Sequence, residues 1–518
     1  MALEPFAAGH RDDISPMWTG EPKEQAGMVM DRRKFTLGAA AFGMGALASG
    51  LPAVASARAA PAKGAGKGAA RSGEPDVLVL GAGISGLQAA WLLEEQGLKV
   101  TVIEGRSRVG GRIMTLLDQP GYPEMGFNSM GEGYGRGLDI AQRAGVEMQE
   151  VGARYRIGPP SLLYIGDQPL TREEWAKFPG NPFPDALKSV LPAELVPMLV
   201  AQKTRLEDWN SWHDPVNAKL DISLHDFLRQ QGLSDQAIHL SYDIAPYYGM
   251  NAYDVSALLS EYNDGFVKAQ IAAGPKSFAV KGGNLLMPMA LAKQMKGDVL
   301  LGREIVAITQ DGGRATVHCA DGATFSAPRV ICSLPFSALR NVRIEPGLSG
   351  VQAQAVAQLG YQPISMVFVT AEAPFWEQDG LSPGMWTDGV LGNVIPQRYG
   401  DDPQQITGFI VQARANLANY WDRMGAEAVK AMVVARIEAL RPAAKGKLAA
   451  HSYFSWSQEK FNLGDFSYIA PGQVAWMDEI AKPAGSLFFC GEHTATGARG
   501  LEGALESSER VALEVLGM

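Results

Sequence analysis

The sequence predicts an α/β fold, on three observations. An apolar run over residues 76–80 passes directly into Gly81, Gly83 and Gly86, and a helical pattern follows over 87–96. A second strand-like run, 99–103, ends in the acid Glu104. Far along the chain, 329–335 and 487–490 repeat the short apolar run expected of strands buried on both faces of a parallel sheet. Composition allows this. Of 518 residues, 46% are hydrophobic and 19% charged, enough to bury a large core and to exclude disorder for the bulk of the chain.

Some functional classes are excluded as well. A formal charge of −9 argues against a protein held to nucleic acid by its overall charge. Cys319, Cys332 and Cys490 cannot form a disulfide framework and match no zinc spacing; no metal motif is found. The 59 glycines exceed the usual share, and they concentrate in a leader and in the turns described below.

The leader comes first. Arg32, Arg33, Lys34 and Phe35 open an uncharged run over 37–57 that ends in Ala55-Ser56-Ala57, a small-x-small cleavage pattern. The paired arginines resemble a twin-arginine signal, so the expectation is export by that machinery to the periplasm. The run is rich in Ala and Gly and contains Pro52, which favours a removable signal over a stable membrane anchor. Residues 58–75 read as a flexible linker.

In the turn after the first strand, Gly81 permits the tight bend and Gly83 lets backbone N–H groups approach a pyrophosphate. Gly86 lets helix and strand pack closely. The helix N-terminus, near Ser85, adds partial positive charge, and Glu104 stands where it can accept from both ribose hydroxyls. Strand, glycines, helix, strand and acid in register make a Rossmann-type dinucleotide site the reading of this region.

Arg106, Arg108, Gly110, Gly111 and Arg112 follow at once. Arg108 and Arg112 bracket the glycine pair, a composition suited to wrapping phosphate. This stretch resembles the R-x-G-G-R element of the flavin-containing amine oxidase superfamily, which includes monoamine and L-amino-acid oxidases. Lys281-Gly282-Gly283 through Leu286-Met287-Pro288 is similar to a further turn of that family, and so is Gly491-Glu492 with the helix beginning near Leu501. The resemblance spans most of the chain after the leader.

The resemblance implies non-covalent FAD held by Gly81, Gly83, Ser85, Gly86, Glu104, Arg106, Gly111, Arg112, Gly126, Phe127, Ile305, Trp456, Gly491, Glu492 and Leu501. It implies an FAD-binding domain assembled from 76–140, 278–359 and 456–518. A substrate domain of mixed sheet and helices, 141–277 and 360–455, is interleaved with it, with helices over 224–231 and 252–269 and strands over 365–370 and 405–413. The implied reaction moves hydride from the carbon beside an amine nitrogen to flavin N5, giving an imine that hydrolyses to aldehyde or ketone. The catalytic positions are Met366, Trp456, Phe466 and Gly500.

Four departures from the family pattern bear on that reaction. Met366 replaces the lysine that assists reoxidation by O2, so another electron acceptor becomes an alternative to O2. Gly500 replaces one wall of the aromatic cage opposite Phe466, leaving a wider cavity or one filled by Tyr247 or Tyr248. Ser129 replaces the arginine that binds the substrate carboxylate in amino-acid oxidases, which favours a small-molecule amine other than a simple α-amino acid, unless Arg136 or another arginine substitutes. Asp465 stands where the monoamine oxidases bond the flavin through cysteine. The other readings kept open are an L-amino-acid oxidase, a flavin desaturase or dehydrogenase on C–C or C–O bonds, and a non-catalytic exported flavoprotein. The oligomeric state is open too, a homodimer included.

Overall fold

The computed structural model describes residues 74–152, 162–398, 402 and 404–518; the expected signal at 31–57 and the expected linker up to residue 73 lie outside them. A five-stranded parallel sheet is built in the spatial order Leu487–Phe489, Arg329–Cys332, Val77–Leu80, Val100–Ile103, Val299–Leu300. Its strands therefore come from three distant stretches of chain, as the sequence predicts. Both faces are buried. Val77 and Val79 pack with Leu87 and Leu93 of the first helix and Val511 of the last. Leu78 and Leu80 face the opposite way, into a core shared with Val330 and Phe336. Side chains alternate across a strand, so four consecutive apolar residues are what a doubly covered strand requires.

A second, seven-stranded sheet runs Leu448–Ser455, Ile364–Ala371, Gly408–Arg414, Asn393–Gln397, Met385–Thr387, Leu162–Ile165, Gln168–Leu170. It is antiparallel except for the pair Met385–Thr387 and Leu162–Ile165. One face packs Val367, Val369, Phe409 and Val411 on the Ala415–Met424 and Ala426–Leu440 helices. The other face carries Ile364, Met366 and Ile410 towards Trp456 and Met125. A four-stranded sheet runs Thr324–Ala327, Arg314–Cys319, Ile305–Asp311, Arg343–Glu345.

Two expected elements differ in extent. The helix expected over 252–269 divides into a 3-10 turn, Ala252–Asp254, and a helix, Ala257–Ala273. Val255 is extended between them, where its carbonyl accepts from Leu224 N, and the Ser256 hydroxyl caps the new helix by accepting from Leu258 N. The strand expected from residue 405 begins at Gly408. All three cysteines are buried and free. Among the described residues no helix is long and apolar enough to cross a membrane.

Candidate active site

A cavity of about 560 Å³ runs from the glycine turn to the second sheet. Gly81 holds φ +98° at the turn, a left-handed conformation that favours glycine. A Cβ at Gly86 would lie 2.2 Å from Gly81 O, so this position is glycine because helix and strand touch. Gly83 is different. Its backbone is unstrained, and a Cβ there would meet no protein atom within 4 Å. The absence of a side chain at Gly83 keeps space open in the cavity wall; the fold itself does not require it.

Glu104 is pinned at the end of its strand. One carboxylate oxygen accepts from Ala82 N at 2.8 Å and the other from Arg106 N at 2.8 Å. The Arg106 guanidinium stays beside it at 3.4 Å, lies as close to Glu459, and covers the Phe461 ring. Arg108 does not face the cavity: one nitrogen donates to Val109 O and Gly111 O, bracing the loop it was expected to share with phosphate. Arg112 does line the cavity. Its guanidinium donates to Asp465 O at 2.6 Å and to Glu492 at 3.0 Å, joining two ends of the chain that lie far apart in sequence. Glu492 also accepts from the Ser467 hydroxyl, so its charge is doubly engaged.

Of the residues that the resemblance assigns to FAD or to the catalytic positions, all but Gly86 and Trp456 line this cavity. Trp456 stands behind the wall, fully buried, with its indole N–H donating to Met125 O at 2.8 Å. A Cβ at Gly126 would be 3.1 Å from that ring and 2.0 Å from Arg112 O, which explains the glycine between them. Two helices begin on the cavity, Ile84–Glu95 and Gly500–Leu516, and neither has a side-chain cap. Their first N–H groups are unpaired donors with no partner inside the helix, and the helix dipoles add positive potential there. A turn with open space at Gly83, an anchored acid and two uncapped helix N-termini on one elongated cavity fit a dinucleotide-sized anion.

At the far end the wall is apolar: Ile364, Met366, Ile395 and Ile410, with Phe466 and Tyr247 beside them. Tyr247 stacks on Phe466 at 5.4 Å between centroids and Tyr248 meets the same ring edge-on at 5.2 Å. Rings in contact leave no room for an amine between them. The tyrosines therefore buttress Phe466 and do not replace the wall missing at Gly500, where a Cβ would meet nothing within 4 Å. Arg499 backs this cluster, its guanidinium 4.5 Å from the Tyr248 ring.

Asp465 is enclosed within the fold and faces the cavity. Burial pushes its carboxyl up to about 6, against the opposing pull of Arg112 and Arg414. His493 packs against Phe336 at 4.4 Å with both ring nitrogens unpartnered, and burial lowers it to about 3, so it is a neutral packing residue near neutral pH. Arg136, a candidate carboxylate ligand, is held by Glu502 and Glu509 and is not in the wall. Gln397, Gln412 and Arg414 line the cavity without having been singled out in the sequence. Their signal was strand alternation: Ile410, Gln412 and Arg414 share one face of their strand, while Phe409, Val411 and Ala413 share the buried one.

Comparison with known proteins agrees with this geometry. A family model described as flavin containing amine oxidoreductase matches residues 84–516, and the chain belongs to that family. It is 25% identical over 457 residues to the L-amino-acid oxidase of Demansia vestigiata, covering 85% of this chain and 86% of the relative. The flavin-dependent L-tryptophan oxidase RebO of Lentzea aerocolonigenes is 25% identical over 482 residues, covering 84% and 97%. Among solved structures, putrescine oxidase bound to putrescine superposes with TM-score 0.67 at 23% identity, covering 86% of this chain and 99% of that one. Cyclohexylamine oxidase from Brevibacterium oxydans IH-35A gives 0.67 at 20% identity, with the same coverage. The protein is an oxidoreductase whose cofactor is FAD.

Proposed function

We propose that the chain is an exported, periplasmic amine oxidoreductase that takes hydride from the carbon beside an amine nitrogen and releases an imine, which hydrolyses to aldehyde or ketone. One observation carries this reading: a single cavity joins the nucleotide turn to an apolar pocket framed by Met366, Ile410 and Phe466. When bound, FAD supplies the hydride acceptor. The chain's own residues hold and enclose. Gly83 and the N-terminus of Ile84–Glu95 would receive the phosphates, Glu104 would hold the ribose, and the N-terminus of Gly500–Leu516 would stabilise negative charge at the flavin end, while Arg112 with Glu492 locks the loop and the C-terminal turn together. The walls of Ile364, Met366, Ile395 and Ile410 exclude water and favour the neutral amine by desolvation, the state from which hydride leaves.

The relatives named above act on amines and amino acids, which supports CH–NH chemistry over desaturation of C–C or C–O bonds. Met366 in place of a lysine supports an electron acceptor other than O2, because no ammonium stands there to stabilise reduced oxygen. Asp465 in place of a cysteine supports non-covalent FAD. The five parallel strands all fall within 76–140, 278–359 and 456–518, and those of the seven-stranded sheet within 141–277 and 360–455, which supports the two interleaved domains. Product analysis tests the activity. With an artificial electron acceptor present, a panel of amines should yield carbonyl compound and ammonia in equal amounts; desaturated product with no ammonia overturns the reading.

A further inference from the structure

Arg414 closes its strand inside the cavity wall. Its Nε donates to Gln412 Oε1 at 2.9 Å and a terminal nitrogen reaches Tyr247 O at 3.4 Å, while the guanidinium lies over the Tyr247 ring at 5.2 Å. Neither partner carries charge. The half-buried Arg205 and the fully buried Arg441 each have a carboxylate, Glu261 and Asp379. Acids of the same cavity are engaged elsewhere: Glu104 with Arg106, Glu304 with Lys460, Glu492 with Arg112. Asp465 faces the cavity too and feels Arg414, but no ion pair joins them.

Gln412 completes the arrangement. Its amide oxygen is committed to Arg414, so what it offers the cavity is the NH2 group, a pair of donors. Strand register sets Gln412 directly opposite Met366 and Arg414 opposite Ile364. A guanidinium and an amide NH2 thus converge beside an apolar floor, with Arg414 one diagonal step from Met366, roughly 7–8 Å along the sheet. Such a site repels a bare ammonium ion and attracts a planar anion, and a guanidinium fork suits a carboxylate.

We infer that Arg414 and Gln412 bind a carboxylate carried by the amine substrate, so that the enzyme prefers amino acids or other carboxylate-bearing amines to the corresponding plain amines. This rests on the amine oxidoreductase reading. It also reverses the expectation drawn from Ser129: the positive charge enters from the second sheet instead.

The test is anaerobic reduction of the FAD-loaded enzyme by matched pairs: phenylalanine and phenethylamine, tryptophan and tryptamine, γ-aminobutyrate and butylamine. At least one carboxylated member should reduce the flavin with the higher kcat/KM. Arg414→Met should lower the carboxylated-to-plain ratio about 10- to 150-fold, the range for hydrogen bonds to a charged group. The fall should appear in apparent affinity more than in the limiting rate, and Arg414→Lys should recover part of it. If Arg414→Met does not load FAD, Gln412→Leu reads the same ratio with a smaller fall. An unchanged ratio in these variants, with plain amines still reducing the flavin, overturns the anion site and leaves amine chemistry standing. Reduction by no member of any pair overturns both.

Discussion

Gly83 separates binding from folding more cleanly than any other residue in the turn. Its φ of −69° suits any L-residue, and a Cβ there meets only open cavity. Gly83→Val should therefore leave the far-ultraviolet circular dichroism and melting of the FAD-free protein nearly unchanged while abolishing FAD uptake. Normal flavin absorbance in the variant would show that the turn is misassigned. His493 gives a pH signature. Its folded value near 3 lies below the ordinary 6.5, so the unfolded chain takes up the proton first as pH falls. The stability of the neutral ring is intact above about pH 6.5 and is lost towards pH 3. His493→Leu should lose about 2–3 kcal/mol less than the parent between pH 7 and 4.5, measured by urea unfolding of both. Equal losses would contradict the assignment. Gly81, Gly86 and Glu104 were legible because each answers a local backbone demand, and Gly83 because it completes their spacing. Arg414 was not, because its meaning depends on having no carboxylate paired with it in space.

At the scale of elements, the paired strands Ile364–Ala371 and Gly408–Arg414 bring together what sequence reading kept apart. Their register puts Met366 against Gln412 and Ile364 against Arg414. Alternation alone could have placed 410, 412 and 414 on one face; it could not say that this face meets the cavity, since that depends on pairing across some fifty residues of chain. The aromatic cluster was half legible for the same reason. Tyr247 and Tyr248 were candidates to fill the gap at Gly500, but the Tyr248–Arg499 contact and the packing of both rings on Phe466 hold them against that ring. If Met366 limits reaction with O2, Met366→Lys should accelerate reoxidation of the reduced flavin in stopped flow. An unchanged rate would remove that role from the strand.

The whole molecule was the most legible level. Four short apolar runs, two of them joined by a glycine turn and a helix, specified a parallel sheet that draws its strands from three regions of the chain; the two-residue strand Val299–Leu300 at its edge was too short to read. Long-range closure by Arg112 and Glu492 was foreshadowed only by the residue types at each end. Acid precipitation should release the yellow chromophore into the supernatant as FAD; flavin retained in the pellet would reveal a covalent link. Replacing Arg32 and Arg33 by lysine should hold the protein in the cytoplasm on cell fractionation, and unaltered export would remove the twin-arginine assignment. The most direct measurement of the central claim is the absorbance of the bound flavin during anaerobic titration with amines and amino acids. Full bleaching with one equivalent of substrate, accompanied by one equivalent of imine-derived carbonyl product, is the expected result. A flavin that stays oxidised with every amine and amino acid offered would contradict it.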